Sequence, residues 1–248
     1  MKKTLLGLTA LALVSGPSLH AQQSITSDRP GIGSGSAVVG HHTVQVEAGF
    51  DYTKTVTNDT YSIGQALIRL GAPWFELEIF ANSYVITRTD FMDDVTDGEG
   101  FQDLGIGIKV PLVRGAGGRF SLSAQGILNT PSGSNIFSAD EWVPVANLLA
   151  DLGITDRLGV SVNAGYQAGP GSVEDTVTLF VTPGVALGNG FGAYAGWAGF
   201  FSDGEDAHFA EGGFTYLAST DIQLDLNGGW NVDTDDYFLG FGVAVRRR

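Results

Sequence analysis

Val44-Gln45-Val46-Glu47-Ala48-Gly49-Phe50-Asp51-Tyr52 sets apolar side chains at every second position, with polar or small ones between. Side chains on a strand point alternately to opposite faces, so this stretch has one apolar face and one wet face. Leu158, Val160, Val162, Ala164 and Tyr166 alternate in the same way with Gly159, Ser161, Asn163 and Gly165. So do Ile222, Leu224, Leu226 and Trp230 with Gln223, Asp225, Asn227 and Gly229. Strands of ~9–11 residues, tilted by about 45°, just cross the hydrocarbon of a bilayer. The pattern predicts an all-β fold, a transmembrane antiparallel β-barrel.

The N-terminus fits an exported protein. Met1-Lys2-Lys3 is charged, Thr4 to Val14 is an apolar run, and Ser15 to Ala21 is rich in small residues. That is the layout of a signal peptide over 1–21, and the run is too short to span, since ~20 apolar residues are needed. A Gly/Ser-rich lead-in over 22–42 follows, lying either in the periplasm or partly inside the barrel, and the barrel occupies 43–248. With no cysteine, disulfides, thiolate metal sites and a cysteine nucleophile are excluded. The formal charge is −14, from 13 Lys plus Arg and 27 Asp plus Glu. Without Lys2 and Lys3 it is 11 against 27, or −16. Such acidity argues against nucleic acid as a partner.

Twelve strands are expected, near 43–53, 60–70, 74–84, 101–112, 119–129, 142–152, 158–167, 176–187, 190–200, 207–217, 220–230 and 236–246. An even count returns both termini to the periplasm. Short connections (Gly71-Ala72-Pro73, 113–118, 153–157, Gly188-Asn189, Ala218-Ser219) alternate with longer ones (85–100, 130–141, 168–175, 201–206). Short periplasmic turns and longer outer loops have this asymmetry. Sixteen acids fall in the proposed outer loops, whereas Arg69, Lys109, Arg114, Arg119, Arg157 and Arg246 to Arg248 gather at the other end. Aromatics sort to both strand ends, as in interfacial girdles: Tyr52, Tyr61, Trp142, Tyr166, Trp230 and Tyr237 above, Trp74, Phe120, Phe191 and Tyr216 below. A soluble β-sandwich would also alternate, but its polar face would be charged; here it is mostly Gly, Ser, Thr, Asn and Gln.

Thr26-Ser27-Asp28-Arg29-Pro30, then Gly40 and Val44 to Gly49, open a series of family-like segments. Leu77-Glu78, Gly100 to Lys109, Thr130-Pro131-Ser132-Gly133, Asp151 to Leu158, Gln223-Leu224-Asp225 and Phe238 to Gly242 continue it in order. Across its mature length the chain resembles the outer-membrane transporters grouped as the "MetA-pathway of phenol degradation" family. The resemblance implies a barrel in the outer membrane of a Gram-negative bacterium and a transport role loosely tied to aromatic or other hydrophobic compounds. It transfers no catalytic or ligand residues. The end departs from the usual pattern, because Val245 and Arg246-Arg247-Arg248 stand where outer-membrane strands commonly finish on an aromatic.

Candidate chemistry is sparse. Ser202 and His208 raise the question of a lipid-cleaving Ser–His pair, but no serine sits at a matching strand position, and no catalytic residue is assigned. His41-His42 has no third ligand. Asp93, Asp94, Asp97 and Glu99 invite a calcium reading without the spacing of an EF-hand, and a solvated acidic loop is the plainer reading. No metal and no cofactor are expected. The inward polar set is the functional handle: Glu47, Arg69, Glu76, Glu78, Asp103, Lys109, Glu211 and Asp225 are expected to line the lumen, with Asn82, Gln125, Asn163 and Asn227. Arg69 is expected across from Glu76, with Lys109 nearby. Two outcomes stay open: these groups line a passive pore for small solutes, or they satisfy one another and close a structural or surface-interaction barrel. A lipid-modifying enzyme is the third reading. Partners expected from the fold are outer-membrane lipid, lipopolysaccharide, the barrel-insertion machinery and a small-molecule solute.

Overall fold

The structure, a computed structural model, describes residues 24–91, 94–114 and 119–248; the expected signal at 1–21 lies outside the described residues. Fourteen strand segments follow one another: β1 (Val44–Lys54), β2 (Asn58–Gly71), β3 (Glu76–Ala81), β4 (Tyr84–Phe91), β5 (Asp94–Phe101), β6 (Leu104–Arg114), β7 (Phe120–Asn129), β8 (Val143–Gly153), β9 (Leu158–Gln167), β10 (Thr176–Gly188), β11 (Phe191–Ser202), β12 (Glu205–Ser219), β13 (Ile222–Asn231) and β14 (Tyr237–Arg247). All pairings are antiparallel, and β1 pairs with both β14 and β2, so the sheet closes into a barrel, with β5 at its outer end paired to β4 alone.

Segments β3 and β4 lie end to end along β2, which pairs Ala66 to Gly71 with β3 and Asn58 to Ile63 with β4. Segments β6 and β5 continue each other in the same manner opposite them. The wall therefore has twelve strands, two of them interrupted. The long outer loop expected over 85–100 is instead the hairpin of β4 and β5. Its strand character lies in Val85, Ile86, Thr87, Thr89 and Thr96, whose branching favours extended backbone, while its acids gave the stretch the look of a loop.

The barrel is inverted relative to a soluble protein. Leu104, Ile106 and Ile108 stand outward at 45%, 59% and 41% exposure, whereas Arg69, Lys109, Glu47, Glu76 and Glu78 are wholly buried. An apolar exterior on this scale would drive a water-soluble chain to aggregate, but it suits lipid. The aromatics Tyr61, Phe101, Trp142, Tyr166, Trp230 and Tyr237 ring one end of this belt. Trp74, Phe120, Phe191 and Tyr216 ring the other.

Candidate functional site

Residues 24–39 run inside the barrel, and Gly40 to His42 turn at its rim into β1. The segment enters at the end that carries the C-terminus, where Ile25 N donates to Thr220 O at 2.8 Å. It climbs along β1, where Glu47 accepts from Ser27 Oγ (2.6 Å), Asp28 N (3.2 Å) and Arg29 N (3.0 Å). It bends over Pro30 to Gly33, where Ile32 N donates to Glu211 at 3.0 Å. Descending, Ser34 exchanges two hydrogen bonds with the Asn163 amide (2.7 and 2.8 Å). Ser36 then donates through N and Oγ to Asp151 (2.8 and 2.6 Å). Val39 N reaches Glu76 at 2.5 Å, and His42 N donates to Gly71 O before β1 begins.

Composition explains why this stretch can sit there. Its Gly and Ser residues are small enough for a narrow lumen, and a buried backbone must find partners for its polar groups. Inward carboxylates and amides of the wall supply them. At one point the approach is so close that a larger residue would displace the Arg29 side chain. A Cβ on Gly49 or on its cross-strand partner Gly242 would overlap the Arg29 guanidinium. That guanidinium reaches Gln65 (3.1 Å), Asp225 (3.4 Å) and the Phe241 carbonyl (3.3 Å).

Below the bend lies an ionic cluster. Arg69 bonds Glu76 through Nε (2.6 Å) and Nη2 (3.1 Å), and Glu47 through Nη1 (3.0 Å). It also donates to the carbonyls of Thr26 and Ala37 (3.0 and 2.7 Å). Lys109 Nζ pairs with Asp28 at 2.5 Å and Glu78 at 3.2 Å. Gln125 bridges Glu78 to Asn147 at 2.9 Å on each side. Buried charges persist only when paired in this way. The expected trio of Arg69, Glu76 and Lys109 does meet, with a register difference: the Cα partner of Arg69 is Glu78, and Glu76 faces Gly71. Arg69 reaches Glu76 because its long side chain slants past that pairing.

Of the remaining expected lumen residues, Glu211 holds the bend and Asp225 faces Arg29. Asp103 folds an outer loop, accepting from Ser132 N, Gly133 N, Ser138 Oγ and Ala139 N at 2.7 to 2.9 Å. Sequence reading missed Asp28 and Arg29 as interior ion-pair partners, and Asp151, Ser36 and Tyr194 as interior groups. Their signal was the run Ser27-Asp28-Arg29, two charges in a Gly/Ser segment with no strand neighbours of their own.

The acidic calcium candidates do not converge. Asp93 lies outside the described residues, Asp94 begins β5, and Asp97 sits opposite Arg88 in the β4–β5 ladder with Glu99 two residues on. Among the described residues the group of acids close enough to share a cation is Asp28, Glu76 and Glu78. Arg69 and Lys109 already neutralise it. Nor does a Ser–His pair assemble. Ser202 Oγ bonds the Thr176 hydroxyl at 3.0 Å, and His208 lies between Trp197 and Phe201, ring centroids 5.7 and 5.6 Å away.

Three cavities follow one another around the bend. An outer vestibule of about 570 Å³ has Asp28, Arg29 and Gly31 to Ser34 as its floor. Gln65, Leu67, Phe80, Asn82, Gln102 and Phe137 stand in its walls. A narrow space of about 120 Å³ between the bend and Ser161, Asn163, Thr182 and Glu211 shares Asp28, Gly31, Gly33 and Ser34 with it. A lower cavity of about 420 Å³ shares Pro30, Ser161 and Thr182 with that space.

A closed antiparallel barrel with an apolar exterior, aromatic rims and a polar lumen is an outer-membrane β-barrel. The chain belongs to the family described as "Putative MetA-pathway of phenol degradation", whose sequence profile matches residues 27–246. Comparison with curated proteins finds no match. Among solved structures it is similar to NanC porin (TM-score 0.56, 8% identity, covering 81% of this chain and 98% of that one). It is similar also to the KdgM porin in complex with disordered oligogalacturonate (TM-score 0.53, 12% identity, covering 80% and 98%). At such identity the likeness is one of fold.

Proposed function

We propose that the protein is a passive channel for small solutes, narrowed by its own N-terminal segment. The observation that carries this reading is the succession of abutting cavities from the outer vestibule, past the bend at Pro30–Gly33, to the lower lumen. The tightest section lies between the bend and Ser161, Asn163, Thr182 and Glu211, where Tyr194 Oη and Glu211 Oε1 are buried without a protein partner. Polar atoms left over at a constriction suit water or the polar group of a passing solute. The vestibule walls alternate rings and aliphatic groups (Leu67, Phe80, Phe137, Val143) with amides (Gln65, Asn82, Gln102, Asn129, Gln167), which favours a small amphipathic solute. No cofactor or energy coupling enters the scheme.

The alternative, a closed barrel, draws on the dense hydrogen bonding that ties residues 24–43 to the wall. Planar bilayers separate the two. Folded protein is expected to give small, discrete conductance steps, and deletion of residues 27–36 to enlarge them. No steps from either protein would leave the closed barrel as the function-neutral description.

A further inference from the structure

At one level of the wall two neighbouring strands are interrupted together, beside a bulge in β2. The β2 ladder to β3 stops at Ala66 opposite Ala81, and resumes to β4 at Ile63 opposite Tyr84. Between them Gly64 takes a φ of 73° and Ser83 a φ of 122°. The β3–β6 ladder stops at Ala81 opposite Leu104, and β4–β5 resumes at Tyr84 opposite Phe101. What joins the two halves is mostly side chain: Ser83 Oγ to Gln102 Oε1 (2.8 Å) and Asn82 Nδ2 to Asp103 O (2.6 Å), beside a backbone bond from Gln102 N to Ser83 O (3.0 Å).

A cavity of about 500 Å³ lies at this break, lined by Ile63, Gly64, Tyr84, Phe101, Leu104 and the break itself. Ile63, Phe101 and Leu104 are 44%, 62% and 45% exposed, and they stand at the outer rim of the apolar belt. Ala81, Asn82 and Gln102 line both this cavity and the vestibule. One layer of side chains therefore separates a lumen space from an apolar, membrane-facing recess. At the levels above and below it, the β2–β3, β3–β6, β2–β4 and β4–β5 ladders stand between the two.

We propose that this seam is a lateral portal, through which small uncharged aromatic or aliphatic solutes exchange between the vestibule and the outer leaflet. Opening it requires the Ser83–Gln102 and Asn82–Asp103 hydrogen bonds to part, with little loss of ladder. An apolar solute gains from leaving a polar lumen for hydrocarbon, whereas an ion does not. The proposal deepens the channel reading and rests on it for entry to the vestibule.

The chain has no cysteine, so Ser83→Cys with Gln102→Cys creates a single pair. Those positions continue the Tyr84–Phe101 register, where facing Cα atoms lie within disulfide reach. Gram-negative cells expressing the full chain would be offered N-phenyl-1-naphthylamine, which fluoresces on entering membrane lipid, and purified protein from the same cells would be tested for ion conductance. Oxidation is expected to slow protein-dependent dye uptake about tenfold, reversed by reductant, with conductance unchanged. Ser83→Ala with Gln102→Ala, which removes the closing bond without a cross-link, is expected to speed uptake. Unchanged uptake in protein shown to be cross-linked, or parallel loss of uptake and conductance, would overturn the portal. Absence of conductance in every variant would count against the axial channel alone, because the oxidised-to-reduced dye ratio is read separately.

Discussion

Arg69 shows how one residue ties the N-terminal segment to the wall. Its guanidinium spends its donors on two carboxylates of the wall and on two carbonyls of the segment, and no Lys could offer that planar fork. Removing one partner from a buried ion pair costs about 3–5 kcal/mol, because the charge left behind is uncompensated. Arg69→Ala is therefore expected to lower unfolding free energy in detergent by about that amount, read from urea titration of the folded-barrel band on unheated gels. Arg69→Lys is expected to recover only part of the loss. Equal stability of all three proteins would show that the cluster contributes nothing net.

Among the elements, the outer loop over 130–142 gathers on the Asp103 carboxylate, beside hydrogen bonds that join Thr130, Ser132 and Ser134 to Phe101 and Leu104. The carboxylate oxygens accept from Ala139 N, Ser138 Oγ, Gly133 N and Ser132 N, four bonds that converge on one side chain. Asp103→Ala is expected to expose the loop to proteolysis at pH 7, by about 1–3 kcal/mol of local protection, with the barrel band unchanged. A protease-resistant loop in that variant would refute the assignment. The same carboxylate borders the seam, so loop and wall interruption are joined at one point.

For the molecule as a whole, charge and topology make separate statements. Sixteen acids are expected in the outer connections; the fifteen described, all but Asp93, lie in or near them, and the constriction adds Glu211. A narrow low-dielectric passage focuses such charge, so cations should be favoured at low salt. The preference should fade as the screening length falls from about 10 Å at 0.1 M to about 3 Å at 1 M, and calcium should weaken it by binding the loops. A reversal potential of the anion-selective sign would contradict this and point to Arg29 and Lys109 as the controlling charges. Orientation has its own test. A cysteine at Asp233 should react with an impermeant maleimide on intact cells, and one at Asn189, in the β10–β11 turn, should not. The opposite labelling would invert the barrel.

The sequence alone determined the barrel, because period-two alternation with a polar face mostly free of charge suits lipid outside and a narrow lumen inside, in strands such as Val44–Lys54. Parity along a strand, a local property, also put Arg69, Glu76 and Lys109 on one face of their strands, though it left Asp151 and Tyr194 unremarked. The alternation of turn lengths gave the connectivity for the same local reason. Three things were decided only by tertiary structure. The hairpin of β4 and β5 looked like a loop because its acids mask the β-branched residues that pair across it. The seam at Asn82–Ser83 and Gln102–Asp103 exists only where two interrupted strands come to lie at one height, which no single strand records. The course of residues 24–39 through the lumen has no periodicity to betray it. Its Gly and Ser residues specify no structure of their own, and it is held by Glu47, Glu76, Asp151, Asn163 and Glu211, drawn from five different strands that only the closed barrel brings around it.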